Sequence, residues 1–261
     1  MKLGLVTNSN KEYHEGDGLS SSQLREINKS TLHAVHRRQI QPTKALEFGS
    51  AAHKWILEEE DFYSEFAVMQ ISRRTKAGKE KAEELASQDI VVITDDDFEK
   101  IQGMKQALVP EALDLLNGAV VEQSVYWDKD DVLCKCRPDA MQVKTEFDQT
   151  SVALIDYKTT QSCEPKEFMR SCRNYQYEMQ LAWYVEGLKS INYQVNDIYI
   201  IAQEKVFPFA NKVYKLTDAT IQSGNFNNQE AFAKYKRYLK TEVPECYNAP
   251  NVLTLDYESF Q

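Results

Sequence analysis

The chain has 261 residues, 42% of them hydrophobic and 27% charged, which excludes a disordered polyelectrolyte and leaves enough apolar mass for a sizeable core. No stretch approaches the roughly 20 apolar residues of a membrane span, and the opening MKLGLVTNSN turns polar by Thr7, too early for a secretory signal. The net charge of −9 argues against a uniformly nucleic-acid-binding surface, yet basic groups cluster locally at His36–Arg38 and at Arg73, Arg74, Lys76 and Lys79.

There is no internal repeat, low-complexity tract or long linker, so residues 1–261 read as a single domain. Five cysteines, an odd number in a long chain, point to a reducing compartment without a disulfide framework. Gly16-Asp-Gly18 signals a turn, and Ser20-Ser21-Ser22 precede QLREI as the N-cap of a helix. Residues 44–60 predict a helix. Residues 62–94 mix an extended stretch, a basic loop and a charged helix, and 95–117 are helical. VVEQSVYW and VLCKCRPDAM predict a hairpin turning at 128–131. VALIDYK is a third strand. Pro165 opens one long helix to about Gly187, DIYIIAQE and NKVYKL are strands, and a last helix covers 218–241. This order predicts an α/β (α+β) layer fold with a mixed central sheet.

The third strand ends in LIDYKTT. Side chains alternate along a strand, so Asp156 and Lys158 share a face with Val152 and Leu154. The pair is either a strand-end salt bridge or a metal-ligand carboxylate beside a lysine that positions a water. Asp139, seventeen positions earlier at the end of CKCRPD, is either a turn residue after Pro138 or a second carboxylate brought alongside by antiparallel pairing. Two carboxylates, the Tyr157 backbone carbonyl and water would form the oxygen set that Mg²⁺ takes. His53 falls on a helical stripe with Leu46, Gly49, Ile56 and Leu57, as a core histidine or as a ligand or base facing the sheet. Gln180 and Tyr184, at i and i+4, point the same way from their helix. Glu122 is a further carboxylate on the strand before Asp139, where an exposed glutamate is the ordinary case. Cys134, Cys136, Cys163 and Cys172 have no trusted metal-ligand spacing and read as small buried hydrophobes.

In this order, GSAAH (Gly49 to His53), CRPD (Cys136 to Asp139), IDYK (Ile155 to Lys158) and QLAWY (Gln180 to Tyr184) resemble the motifs of the RecB-like group in the PD-(D/E)XK nuclease superfamily. The one departure is Cys136, where the group often has glycine. SNKEYHEGDGLSSSQL, GSAAHKWILEEEDF, RRTKAGKE, VLCKCRPD and LIDYKTT further resemble the carboxy-terminal nuclease domains of the RecE (exonuclease VIII) family, from about residue 8 to 190.

The resemblance implies a restriction-endonuclease-like core and a 5′→3′ double-strand exonuclease that leaves 3′ overhangs for a RecT-like single-strand annealing protein. It implies two Mg²⁺ per active site, with Mn²⁺ able to substitute. Asp139, Asp156, the Tyr157 carbonyl, His53 and Glu122 would hold the metals, Lys158 would act on the water, and Gln180 and Tyr184 would orient the phosphate or support the lysine. Ser20, Ser21 and Ser22 would bind a 5′-phosphate, and Arg73, Arg74 and Lys76 would grip the DNA backbone. A homo-oligomeric ring, tetramer rather than trimer, would confine the basic surface to a central channel, in the cytoplasm of a bacterial or phage-infected cell. The competing readings are a structure-specific or restriction-type endonuclease and a non-catalytic acidic DNA mimic.

Overall fold

A computed structural model describes residues 3–37, 43–70 and 75–247. In chain order the elements are β1 (Gly4–Val6), α1 (Asn10–Glu15), α2 (Ser21–Lys29), α3 (Thr31–Val35), α4 (Lys44–Leu57), α5 (Phe62–Glu65), β2 (Phe66–Met69) and α6 (Lys76–Ala86). Then follow β3 (Val91–Thr94), α7 (Asp95–Gln106), α8 (Pro110–Leu116), β4 (Val120–Val121), β5 (Ser124–Lys129), β6 (Val132–Cys136) and β7 (Ala140–Glu146). The remainder is β8 (Gln149–Thr160), α9 (Pro165–Tyr175), α10 (Tyr177–Ser190), β9 (Tyr193–Glu204), β10 (Asn211–Lys215) and α11 (Asp218–Thr241).

The expected mixed central sheet is present, in the order β10-β9-β8-β7-β4. Its pairs are antiparallel except β8–β9, which run parallel and are joined through α9 and α10, the long connection that parallel strands require. A three-stranded sheet, β1-β5-β6, and a parallel pair, β2-β3, lie outside it. β8 is buried on both faces. Val152 and Leu154 join a core with residues of α2, α10, α11 and the β5–β6 hairpin, whereas Ile155 and Tyr157 join a second core with residues of α4, α7 and α8. Period-2 alternation thus divides one strand between two apolar layers.

Several boundaries differ from the sequence expectation, each for a local reason. VVEQSVYW is two strands in different sheets, because Glu122 takes a left-handed conformation (φ 49°) between β4 and β5. The hairpin is β5–β6, and Asp130 and Asp131, both at positive φ, make its two-residue turn. VLCKCRPDAM ends as a strand at Cys136 and resumes as β7 at Ala140, so Asp139 lies in the connecting turn rather than at the end of a strand. The long helix from Pro165 breaks at Gln176, a non-glycine residue in the left-handed region (φ 53°). The 95–117 helix divides before Pro110, which opens α8 and cannot donate to α7. The 44–60 helix stops at Leu57, followed by a short 3-10 turn. β1, α1 and α3 carry no apolar periodicity and were not foreseen. α1 is nonetheless anchored: the buried Lys135 donates from Nζ to the carbonyls of Tyr13 (2.6 Å) and Gly16 (2.5 Å).

Candidate active site

β7 begins at Ala140, opposite Ile155, while β8 runs on to Thr160. Beyond Ile155 the β7 side of β8 is therefore an open strand edge, although its other side stays paired to β9 through Thr160. Asp139 fills the first gap in that edge: its Oδ2 accepts from the Tyr157 backbone N–H at 2.8 Å. The N–H and C=O of one strand residue point to the same side, so the Tyr157 carbonyl faces the Asp139 side as well. The Tyr157 ring is buried below, and its hydroxyl donates to Gln203 at 2.6 Å.

Asp156 is wholly buried on the adjacent face. Lys158 Nζ lies 2.7 Å from both of its carboxylate oxygens, hydrogen-bonded to Oδ1, and 3.8 Å from Asp139 Oδ2. The salt bridge read from the sequence does form, but it spans two carboxylates. Gln180 Nε2 donates to Asp156 Oδ1 (3.3 Å) and to the Tyr184 hydroxyl (2.6 Å). Gln180 and Tyr184 therefore brace Asp156, and Tyr184 is also part of the apolar core. Tyr177, just past the break at Gln176, lays its ring 5.4 Å from Lys158 Nζ.

α4 supplies His53. The helix buries Ala51, Ala52, Trp55 and Ile56, while Leu46, expected on the same stripe, is 57% exposed. His53 thus sits at the rim of the apolar face and not at its centre. Its Nε2 lies 3.0 Å from Asp139 Oδ2 and its Nδ1 3.3 Å from Glu122 Oε1. Glu122, a candidate ligand whose competing reading is an exposed strand glutamate, is swung inward by the left-handed turn that ends β4. Its N–H donates to the Asp139 carbonyl at 3.1 Å, and its other oxygen lies 2.6 Å from Arg137 Nε. Arg137 was missed, although a charge between the buried Cys136 and an acidic ligand candidate was the available signal.

The electrostatics follow from enclosure. Burial pushes Asp156 up to about 6, Lys158 opposing the shift and the Asp139 charge adding to it. Burial likewise raises Glu122 to about 7. Burial also acts to raise Asp139, but Lys158, His53 and the Tyr157 N–H outweigh it and hold the group at about 2. His53 is raised: burial disfavours its cation, and the carboxylates of Asp139 and Glu122 overcome that. Lys158 is raised against burial by Asp156 and Asp139.

This donor set suits a divalent cation. One ligand atom each from His53, Glu122 and Asp139 lie within 4.8 Å of one another. Asp156 Oδ2 is buried with no hydrogen bond and with only the Lys158 ammonium, 2.7 Å away, beside it, so it keeps lone-pair capacity for a metal cation. Asp139, Asp156 and the Tyr157 carbonyl could hold one ion, and His53, Glu122 and Asp139 a second.

The remaining candidates fall elsewhere. Ser20 forms a capping box with Gln23 at the start of α2, its Oγ accepting from the Gln23 N–H and lying 3.0 Å from Ser22 Oγ; Ser21 is buried and Ser22 exposed. Ser20 is thus engaged in the N-capping that competed with the phosphate reading. Lys76 is exposed in the first turn of α6, 3.8 Å from Glu80, while Arg73 and Arg74 lie outside the described residues. Cys134, Cys136 and Cys163 are buried free thiols, Cys172 is half-buried, and none joins the metal-capable group. Among the described residues no helix is long and apolar enough to cross a membrane.

Comparisons agree with this geometry. The family model described as a PDDEXK-like domain of unknown function (DUF3799) matches residues 20–249. No curated protein matches the chain. Among solved structures, the chain is similar to a Eubacterium rectale protein described as a "putative exonuclease", with a TM-score of 0.64, 12% identity and 96% of each chain covered. At that identity the likeness is one of fold.

Proposed function

The chain belongs to the family of PDDEXK-like domains, within the PD-(D/E)XK nuclease superfamily, and from that premise we propose that it is a Mg²⁺-dependent 5′→3′ exonuclease of double-stranded DNA. The observation that carries the reading is the strand edge at Asp156–Lys158, where two buried carboxylates, a lysine, a histidine and a third carboxylate converge. Lys158 links Asp156 to Asp139, and one ligand atom each from His53, Glu122 and Asp139 lie within 4.8 Å of one another, a grouping suited to divalent-cation binding beside a lysine.

A bound divalent cation would neutralise phosphate charge and acidify a water. The chain's own residues do the rest. Asp139 and Asp156 fix the ligand oxygens, each held by hydrogen bonds from Tyr157 N–H or Gln180. Lys158 keeps its proton and can orient the attacking water and stabilise charge on the phosphoryl oxygens. His53 and Glu122 complete a second position.

The exonucleolytic mode, the polarity, the 3′ overhang handed to a RecT-like annealing protein and the ring, tetramer before trimer, rest on the motif resemblance to RecE-type domains. The same holds for Mg²⁺, with Mn²⁺ as its substitute, and for a cytoplasmic setting. Digestion of linear duplex labelled at the 5′ or the 3′ end, with Mg²⁺ or with EDTA, tests the proposal. Early Mg²⁺-dependent release of 5′ label as mononucleotide is the expected result. Rapid nicking of a covalently closed circle would instead assign an endonuclease.

A further inference from the structure

The cavity beside the carboxylates is walled by α1 and α4 and lined by Asn10, Tyr13, His14, His53, Lys54 and Arg137. Its cations differ in one respect. Lys54 is taken by Glu58 (3.1 Å) and Glu65 (2.9 Å), and His53 by Glu122 and Asp139. The Arg137 side chain is only 9% exposed, with Nε 2.6 Å from Glu122 Oε2 in an ion pair that lacks hydrogen-bond geometry and the Tyr13 ring 5.7 Å from Cζ, and its Nη1 is buried with no hydrogen-bond partner. A guanidinium has five N–H donors in a rigid fork, and leaving part of that fork unmet inside a protein is unfavourable. The planar fork matches the oxygens of a phosphate, and arginine is suited to bidentate phosphate recognition.

We propose that Arg137 is a substrate contact, its free Nη1 donating to a non-bridging oxygen of a DNA phosphate seated in this cavity. The inference rests on the nuclease reading above. The chain's path favours it: Arg137 stands two residues before Asp139, so a ligand on the guanidinium lies next to the carboxylates. Glu122 then has two tasks, fixing Arg137 through one oxygen and facing His53 with the other. The phosphate is either the terminal one of a 5′ end or an internal diester, which share this chemistry.

The experiment compares wild type with Arg137→Gln and Arg137→Met. The methionine variant also removes the charge, keeps an apolar stem beside Tyr13, needs no hydrogen-bond partner and serves if the glutamine variant does not fold. Three quantities are measured: Mg²⁺ affinity by calorimetry, the salt dependence of duplex binding by anisotropy, and kcat/KM on 5′-phosphorylated and 5′-hydroxyl duplexes. The expected result is a fall in kcat/KM of about 10- to 100-fold and a drop of about one in the log–log salt slope, since one phosphate contact is lost. Mg²⁺ affinity should change little. If the ratio between phosphorylated and hydroxyl ends collapses towards one, the contact is the terminal phosphate; if both fall together, it is an internal diester. An unchanged salt slope overturns the proposal, and loss of Mg²⁺ affinity with that slope intact reduces Arg137 to a brace for Glu122. If wild type cleaves nothing but its DNA binding still loses that slope in the variants, the nuclease reading fails and the phosphate contact stands.

Discussion

Replacing Lys158 with methionine keeps the length of the side chain and removes its charge, and the structure allows the consequence to be estimated. The ammonium lies 2.7 Å from Asp156 and 3.8 Å from Asp139, at 18% exposure. With an effective dielectric constant of about 20, these distances correspond to attractions of about 6 and about 4 kcal/mol. Desolvation of the ammonium offsets several kcal/mol of that sum, so the metal-free protein should lose about 3–5 kcal/mol at pH 8, the range for breaking a buried pair from one side. The loss should shrink at pH 5, where Asp156 is protonated and no longer needs a partner. It should also shrink when Mg²⁺ is added, because a divalent cation replaces the missing charge, whereas cleavage should stay at least 10³-fold down. Urea unfolding of both proteins at pH 5 and pH 8, with Mg²⁺ and with EDTA, reads all of these effects. Equal stability of variant and wild type at pH 8 in EDTA would refute the reasoning, since Asp156 would then not depend on Lys158.

The metal-free wild type should itself lose stability as pH rises from about 4 to about 7. Glu122 and Asp156 bind protons more tightly when folded, so their contribution is complete below the unfolded values and lost as pH passes about 6 to 7; His53, also raised, acts in the same direction. Thermal melts in EDTA should show the decline, and stabilisation by Mg²⁺ should grow over the same interval; a melting temperature that climbs between pH 5 and pH 8 in EDTA contradicts the assignment. Gln180→Leu leaves the Tyr184 hydroxyl without its donor and Asp156 with Lys158 alone, so unfolding experiments should show a cost of about 1–3 kcal/mol and kinetics a lower kcat. Gly224→Ala tests the packing of α10 on α11: a Cβ there would lie 2.1 Å from the Glu178 carbonyl oxygen, so the helices must separate, at about 1–3 kcal/mol in denaturant melts with no change in Mg²⁺ affinity.

The parts of the fold that the sequence revealed are those where periodicity and burial coincide. β8 was readable from the continuous apolar run Val152–Ile155, and α11 from a long segment without glycine or proline after Gly224. Asp139, Asp156, Lys158 and His53 were readable through the spacing of four short motifs, and the structure brings them to one strand edge. What could not be read depends on single backbone conformations. In VVEQSVYW the polar Glu122, Gln123 and Ser124 separate two apolar stretches but include no glycine or proline, so nothing in the segment marks the left-handed conformation that turns Glu122 inward. Likewise, no glycine or proline stands at Gln176, so the sequence does not mark the left-handed break that sets Tyr177 over Lys158. Arg137 stayed hidden because its role comes from Tyr13 in α1, a helix with no periodic signal of its own.

The single-sided pairing of the end of β8 has a bearing on the order of assembly. From Asp156 to Thr160 that strand is held in the sheet only by β9, whose residues follow about forty positions later and arrive by way of two helices. Parallel pairing over such a separation is among the slower events of folding, because the loop must close before the contacts form. Helices such as α4 and α11 can form from local interactions, but the edge that carries the site takes shape only when β9 docks. During synthesis or refolding, a chain that is already largely helical is still without a site until this long-range pairing forms.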